Sequence, residues 1–417
     1  MAESTKATKR QSCTICLPIT EDEYRQIMDS WPQIRQWLER SFRDMPELFP
    51  EGFADGFGQK DSRISKKMAL QLWRVTAHHD GRHYSIRPSF VTPHLTARTG
   101  DVENGLFLRR FGVPFWALER VFGRSRMSWY RLEHSLGRNS VVGTTVRRGE
   151  VPKDLVADEH HQTCNGEKIY IATTVGAGCC LGAAVASTAS GDALTEAYGV
   201  FRDEAKDVEP DYAPKTVNTD GWKGTIAAWL NLFTSIAMLR CFLHGWLKIR
   251  DRAKHLDCFL DLGKRVWEAY HALNRATFRR RLRALKKWAL ATLQPGIVRE
   301  EVLDLCDKED LWVKAYDHPQ GHRTSNMLDR VMRGMCRYFD QGQHLHGSVK
   351  VCEQRARAWA LLHNFTPWSP QAKRRNKGRQ SPAERLNRHR YHACWLQNLL
   401  ISASLGGYRK SPPQNAG

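Results

Sequence analysis

The chain has 417 residues, 41% hydrophobic and 10% aromatic, which excludes a disordered protein and allows two or three domains. Its net charge of +20 favours nucleic acid as a partner, with an anionic membrane surface as the second candidate. No uncharged apolar stretch of about 18 residues and no signal-peptide pattern occurs, so we expect no membrane partner and a cytoplasmic, nucleoid-associated location.

The first part of the chain, residues 1–98, is expected to be a helical region. Residues from about 20 to 75 carry amphipathic runs such as EYRQIMDSWPQIRQWLERSF. Cys13 and Cys16 could join His79 and His83 in a zinc site, but the loop between the two pairs is longer than in a compact zinc finger. Eleven scattered cysteines fit reduced thiols better.

Residues 99–150 are predicted to contain a helix-turn-helix. One helix runs over 114–122, Gly123 makes the turn, Ser125 caps, and a second helix runs over 127–136. Arg124, Arg126 and Arg131 could then face a DNA major groove. The alternative is an ordinary helical hairpin with no role in DNA reading.

From Leu155 onward the hydrophobic period changes to that of strands. The runs LVADE, IYIATTVG and CLGAAVAS predict a strand followed by a hairpin, and then come a helix, the strand TVNTD, another helix and the strand IAMLRCFLH. Three strands followed by alternating helices and strands indicate an α/β fold with a mixed sheet.

Two aspartates stand at strand ends in this pattern. Asp158 closes the first strand and Asp220 closes the fourth, directly before a glycine. If those strands are neighbours, both carboxylates lie at one edge, where they could bind Mg²⁺ or Mn²⁺ for phosphoryl transfer. Each aspartate taken alone could equally be a turn residue.

The blocks VADEHH, VNTDGW, CFLH and RTSNMLDR, in this order, resemble DDE-type transposases of bacterial insertion sequences, related to the Mutator and hAT groups. The resemblance covers about residues 150 to 365. It implies a ribonuclease H-like core with Asp158, Asp220 and Asp329 as catalytic metal ligands. It also implies that Cys241 and His244, which follow the fifth strand, support the site.

The third acid of this resemblance departs from the common pattern. Many relatives carry glutamate at the position of Asp329, and Glu353 in the next helical run is the rival. We favour Asp329 because a Thr-Ser-Asn helix start stands directly before it.

The long interval between Asp220 and Asp329 predicts an inserted helical subdomain over residues 250–315. It contains the basic run NRATFRRRLRALKKWA, whose cations could contact DNA or remain solvated. The cations that we expect at DNA in this run are Arg279, Arg280, Arg281, Arg283, Lys286 and Lys287.

The expected architecture is a ribonuclease H-like core over 151–249 and 316–368, interrupted by the insertion and followed by a basic C-terminal tail over 369–417. The expected function is a DNA transposase that cuts transposon ends and joins them to target DNA, acting as a homo-oligomer on double-stranded DNA. The alternatives are a ribonuclease H-like nuclease without strand transfer and a catalytically inactive DNA-binding regulator.

Overall fold

Two mixed β-sheets organise the residues that the computed structural model describes, which are 12–341 and 345–408. The first sheet consists of β1 (Thr14–Leu17), β2 (Phe57–Ser65), β3 (Leu70–Ala77) and β4 (His83–Pro88). Its order is β1-β4-β3-β2, with β1 parallel to β4 and the other pairs antiparallel. Two helices, α1 (Glu21–Ile27) and α2 (Trp31–Asp44), lie between β1 and β2 in the chain.

The prediction of a helical region over residues 1–98 is confirmed for α1 and α2 and wrong for the four strands β1 to β4. A capping box between Thr20 and Glu23 starts α1. In β3, Trp73 and Val75 are buried while their neighbours are half-exposed, which is the period of a strand. The sequence of β2, FGQKDSRIS, has little apolar alternation, so its strand conformation depends on pairing with β3.

The predicted helical hairpin is present. The next helices are α3 (Glu103–Arg109), α4 (Phe115–Phe122), α5 (Arg126–Leu136) and α6 (Val141–Thr145). Gly123 ends α4 with φ 69°, and the Ser125 side chain accepts a hydrogen bond from the Ser128 backbone at the start of α5. The predicted boundaries are therefore confirmed to within a residue.

The second sheet follows the predicted order of strands and helices. It contains β5 (Asp154–Cys164), β6 (Glu167–Gly176), β7 (Cys179–Ala186), β8 (Thr216–Thr219) and β9 (Ala237–Arg240), with α7 (Gly191–Val208) before β8 and α8 (Lys223–Leu232) after it. The spatial order is β7-β6-β5-β8-β9. Strands β5, β8 and β9 are parallel, whereas β6 is antiparallel to both of its neighbours. The chain is thus a mixed α/β protein.

The helical insertion has its own apolar core. Its helices are α9 (Phe242–Ala253), α10 (Phe259–Tyr270), α11 (Arg275–Thr292), α12 (Ile297–Asp307) and α13 (Glu309–Val313). Phe278, Leu282, Leu285 and Ala289 of α11 are buried at helical spacing and belong to a cluster separate from that of the second sheet. Residues 250–315 are thus helical, as predicted, although the first of these helices begins at Phe242.

The remaining helices are α14 (Asn326–Asp340), α15 (Val349–Phe365), α16 (Pro370–Arg375), α17 (Pro382–Asn387) and α18 (Trp395–Ser402). The expected basic tail is instead folded as far as residue 408. The apolar residues of α18 are buried, and the Arg147 guanidinium donates to the carbonyls of Ser402 and Ser404. The apolar patch at the end of this segment thus anchors its cations to the body of the protein. None of the described helices is both long and apolar enough to cross a membrane.

A buried ion pair connects α7 to α15. The carboxylate of Glu204 accepts hydrogen bonds from the backbone N–H groups of Val141 and Val142 at 2.7 and 3.1 Å and pairs with Arg357. The side chains of Glu204 and Arg357 are only 1% and 6% exposed, so the charge of each depends on the other.

We expect Glu204→Gln to lower the free energy of unfolding by about 3–5 kcal/mol, because it leaves the Arg357 cation buried without a counter-charge. Urea denaturation followed by circular dichroism measures this change. The control is Asp203→Asn on the exposed side of the same helix, which should unfold close to wild type. Equal midpoints for Glu204→Gln and wild type would show that the pair is dispensable.

Candidate active site

The parallel register of β5 and β8 brings Asp220, directly after β8, towards Asp158. The prediction that Asp158 ends its strand is wrong, because pairing with β6 continues β5 as far as Cys164. Asp154, Leu155 and Val156 pair with residues 216, 217 and 218. Two positions further along the same register, Asp158 lies opposite Asp220. Side chains alternate along β5, so the next residue, Glu159, faces the other side, where its Oε1 accepts from Tyr198 and Thr225 at 2.7 Å each. Asp158 is therefore the β5 acid that shares an edge with Asp220.

The turn after β8 orients Asp220. Its Oδ1 accepts a hydrogen bond from the Trp222 backbone N–H at 2.8 Å, and Gly221 between them has φ 97°. A side chain at Gly221 would be strained by that φ and would also collide with the Arg240 guanidinium, 1.2 Å from the position of its Cβ. The glycine in VNTDGW is thus required by the backbone conformation, and the Arg240 guanidinium occupies the space that its missing side chain leaves.

The negative charge of Asp220 disfavours ionisation of Asp158. The pKa of Asp158 is raised to about 7, first by burial and then by the negative charges of Asp220 and Glu159, against one backbone hydrogen bond and His244. Asp220 itself is exposed at the edge of the sheet. The pair is therefore a site of unbalanced negative potential that a cation would stabilise.

Cys241 and His244 lie next to this pair, at the start of α9. The interaction with the Cys241 thiol raises the pKa of His244 to about 9, against the effect of burial and with help from Asp158 and Asp220. Burial raises the pKa of Cys241, but hydrogen bonding with His244 and Ser325 outweighs it, so that the net direction is downward. His244 therefore places a positive charge beside the two aspartates.

Asp329 is connected to the same corner through Ser325. The Ser325 Oγ donates to Asp329 Oδ2 at 3.1 Å, and the Ser325 backbone N–H donates to the Cys241 sulfur at 3.2 Å. Ser325 is 2% exposed, and α14 packs against β5. The rival acid, Glu353, instead accepts a hydrogen bond from the Val185 backbone at 3.3 Å, in the edge strand β7.

These residues do not by themselves form a cage for a metal. Within residues 12–341 and 345–408, no group of three or more histidine, cysteine or acidic side chains is placed to hold a metal ion. The sequence-predicted zinc residues form no such group: Cys13 is exposed, Cys16 is buried, His79 contacts Asp55, and His83 contacts Thr76. Asp158 and Asp220 thus form a pair, and Asp329 is connected to Cys241 beside this pair by the hydrogen bonds of Ser325.

Arg240 is a site residue that sequence reasoning missed. It ends β9, its guanidinium lies against Gly221, and its Nε is buried without a hydrogen-bond partner among the described residues. A cation with unused donors at the carboxylate edge is suited to contact an anionic substrate. The sequence signal that could have identified Arg240 is its position directly before the Cys-x-x-His block. A residue there ends β9, the strand beside β8, and therefore lies near Asp220.

The cations predicted to face DNA fall into two groups. In the helical hairpin Arg126 and Arg131 are exposed, whereas Arg124 lies 3.4 Å from the Thr96 carbonyl. In α11 the cations Arg279, Lys286 and Arg281 are engaged, the first two by acids and the third by the Glu268 carbonyl. The other three cations of α11 that were predicted to face DNA are exposed and have no ion pair with any described residue: Arg280, Arg283 and Lys287.

Comparison with known proteins identifies no family for this chain. No protein-family model matches the chain, and no curated protein is significantly similar to it. The conclusions about function therefore depend on the residues and their arrangement.

The raised pKa of Asp158 predicts a pH-dependent stability. The folded-state pKa of about 7 exceeds the ordinary value of 3.8, so this stabilisation is complete at acidic pH and is lost as the pH rises through 7. The side chain of Asp158→Asn cannot ionise. In EDTA, the melting temperature of this variant minus that of wild type should therefore increase from pH 5 to pH 8. Differential scanning calorimetry tests this, with the exposed Asp211→Asn as control. A difference that stays constant over this range would contradict the burial argument.

Proposed function

We propose that this chain is a DDE-type DNA transposase with a ribonuclease H-like catalytic core. The observation that carries the proposal is that Asp158 in β5 lies near Asp220, which directly follows the adjacent parallel strand β8, in a sheet ordered β7-β6-β5-β8-β9. In the family that the sequence resembles, the first two acids lie on the first and fourth strands of the core. A Cys-x-x-His block follows the fifth strand, as Cys241 and His244 follow β9 here.

The donor set fits a hard divalent cation. Asp158 and Asp220 supply carboxylate oxygens, and Mg²⁺ commonly takes one or two protein carboxylates and completes its shell with water and phosphate oxygens. Asp158 and Asp220 would hold the ion, and Asp329 would complete a second position. When bound, such ions activate the attacking oxygen and stabilise the leaving oxygen in phosphoryl transfer.

The neighbouring side chains have separate tasks in this proposal. Ser325 holds the Asp329 carboxylate and contacts Cys241, so the start of α14 is fixed relative to β9. His244 adds a positive charge that lowers the cost of ionising Asp158. Arg240, with a buried Nε that lacks a partner among the described residues, would contact the phosphodiester backbone and orient the scissile strand.

Two surfaces support DNA as the substrate. The exposed cations of α11 recur at helical spacing, so Arg280, Arg283 and Lys287 share one face that no described acid neutralises. The exposed Arg126 and Arg131 lie on the second helix of the hairpin, in the place where a recognition helix carries its base contacts. Together with the net charge of +20, these surfaces favour a double-stranded polyanion.

We expect Asp158→Asn, Asp220→Asn and Asp329→Asn each to reduce nicking of supercoiled plasmid in Mg²⁺ or Mn²⁺ by about 100-fold or more. Each substitution removes a ligand charge and little volume, and loss of a few kcal/mol of transition-state stabilisation has an effect of this size. Agarose gels measure nicking, and capture of a labelled 3′-hydroxyl end by the plasmid measures strand transfer.

The matched control is Glu353→Gln, which should nick at close to the wild-type rate. Loss of activity in Glu353→Gln with retention in Asp329→Asn would identify Glu353 as the third acid. Nicking without strand transfer would favour a nuclease, and a wild-type protein that binds DNA but never nicks it would favour a regulator.

The exposed face of α11 gives a second prediction. Each phosphate contact contributes about −0.9 to the slope of log affinity against log salt concentration for duplex DNA. Replacing Arg280, Arg283 and Lys287 together by glutamine should therefore make the slope shallower by up to three such contributions, for any DNA sequence. Fluorescence anisotropy with a labelled duplex in EDTA, over a series of salt concentrations, measures it.

The control variant removes the same charge from the same helix. Replacing Arg275, Arg279 and Lys286 by glutamine affects cations that are paired with Asp317, Glu309, Asp310 and Asp307. We expect a smaller change of slope. Equal changes in both variants would mean that total charge, and not the exposed face, determines binding.

A further inference from the structure

A cleft of about 740 Å³ lies in the N-terminal part of the fold, outside the candidate active site. One wall is a face of the first sheet, including Thr14, Ser85 and Leu72. The opposite wall comes from the end of α5, with Ser135 and Arg138, and from the segment around α18. Its volume lies within the range of roughly 300–1,000 Å³ that is typical of small-molecule sites.

The charged side chains that line this cleft are all basic. Arginines reach it from three elements, with Arg63 on β2, Arg87 on β4 and Arg138 after α5. No aspartate or glutamate is among the described residues that line it. Asp61, which lies outside the lining and is paired with Arg74, is near Arg63. Arg87 and Arg138, however, have no acid beside them among the residues that line the cleft, so their positive potential favours an anion.

The hydrogen-bonding state of these arginines points in the same direction. Arg87 is half-buried, and its Nε is buried without a partner among the described residues. None of Arg63, Arg87 and Arg138 forms an ion pair with a described residue, whereas a fourth lining arginine, Arg74, is held by Asp61. A buried donor left unsatisfied costs free energy that a bound acceptor would recover.

The rest of the lining is apolar or carries neutral polar groups. Ile64, Leu72 and Leu95 supply apolar surface, and the Ile64 side chain is 73% exposed, which is unusual for isoleucine. Hydroxyl and amide groups that can donate or accept come from Thr14, Ser85, Ser135 and Asn139. A ligand that fits must combine an anionic end with a flat or apolar body and a few polar atoms.

We propose that this cleft binds a nucleotide, with the phosphate on Arg87 and Arg138 and the base against the apolar wall. The nucleotide could be free or could belong to an unpaired DNA strand, since both present the same phosphate and base. The chain's own terminal segments, residues 1–11 and 409–417, are net basic in sequence and would not balance the arginines. The proposal does not depend on catalysis at Asp158 and Asp220.

Three small probes and one strand test the chemistry. Thymidine 5′-monophosphate, thymidine and inorganic phosphate are titrated into the full chain by calorimetry in EDTA, and a fluorescein-labelled thymidine hexanucleotide is followed by anisotropy. We expect the monophosphate or the hexanucleotide to bind, and thymidine to bind at least about ten-fold more weakly because it lacks the charge-assisted contacts. Binding of the monophosphate assigns a free nucleotide, and binding of the hexanucleotide alone assigns an unpaired strand.

Two variants locate the binding. Arg87→Gln with Arg138→Gln should weaken the probe that binds by about ten-fold or more. Lys66→Gln with Lys67→Gln removes the same charge from the turn between β2 and β3, outside the cleft, and should have little effect. Ser85→Phe keeps every arginine but fills the cleft and should also abolish binding. Circular dichroism shows whether each variant is folded.

Several outcomes would overturn the proposal. These are no binding of either phosphate-bearing probe, equal binding of thymidine and its monophosphate, or folded cleft variants that bind like wild type. Inorganic phosphate binding as tightly as the nucleotide would also overturn it, because the base would then contribute nothing. Plasmid nicking is measured separately. A failure of nucleotide binding therefore does not contradict the catalytic proposal, and an absence of nicking does not contradict the proposal that the cleft binds a nucleotide.

Discussion

The candidate site depends on the repulsion between two carboxylates that the sheet does not allow to separate. Asp158 and Asp220 are opposed because β5 and β8 pair in parallel, and a shift of one residue would turn Asp158 to the other face of the sheet. Burial of Asp158 is the largest cause of its raised pKa, about 7, and the negative charge of Asp220 adds to it. A protein that keeps such a pair at a sheet edge retains a local instability, which a bound cation would remove.

The surroundings of the pair balance this charge in part. His244 supplies a cation whose pKa is raised by contact with Cys241, and Arg240 lies against Gly221 on the other side. Ser325 links Cys241 to Asp329, so that one hydrogen-bonded chain runs from the end of β9 to the start of α14. The insertion leaves the sheet at α9 and has its own apolar core, which allows its length to be accommodated without disturbing this corner.

Ion pairing, more than the number of cations, decides which surfaces of the chain remain positively charged. In α11, three of the cations are neutralised by acids of α12, α13 and the segment that follows, while three on another face have no such partner among the described residues. The arginines of the N-terminal cleft are a second such set, and they come from strands and a helix far apart in the chain. Net charge predicts a polyanionic ligand, but the pairing pattern decides which surface can bind it.

The sequence by itself determined the strands and helices of the second sheet and the helical hairpin, because hydrophobic period and turn glycines are local properties. It proposed Asp158, Asp220, Cys241 and His244 as site residues, but it ended the strand of Asp158 too early, since β5 continues to Cys164. It misassigned β2 and β3 as helix and residues 369–408 as a tail, since both depend on contacts with distant segments. Only the tertiary structure placed Arg240 beside Gly221, linked Asp329 to Cys241 and brought Arg63, Arg87 and Arg138 to one cleft. Strand register, ion pairs and the lining of a cleft each bring together residues that are far apart in the chain. No local sequence pattern therefore predicts them.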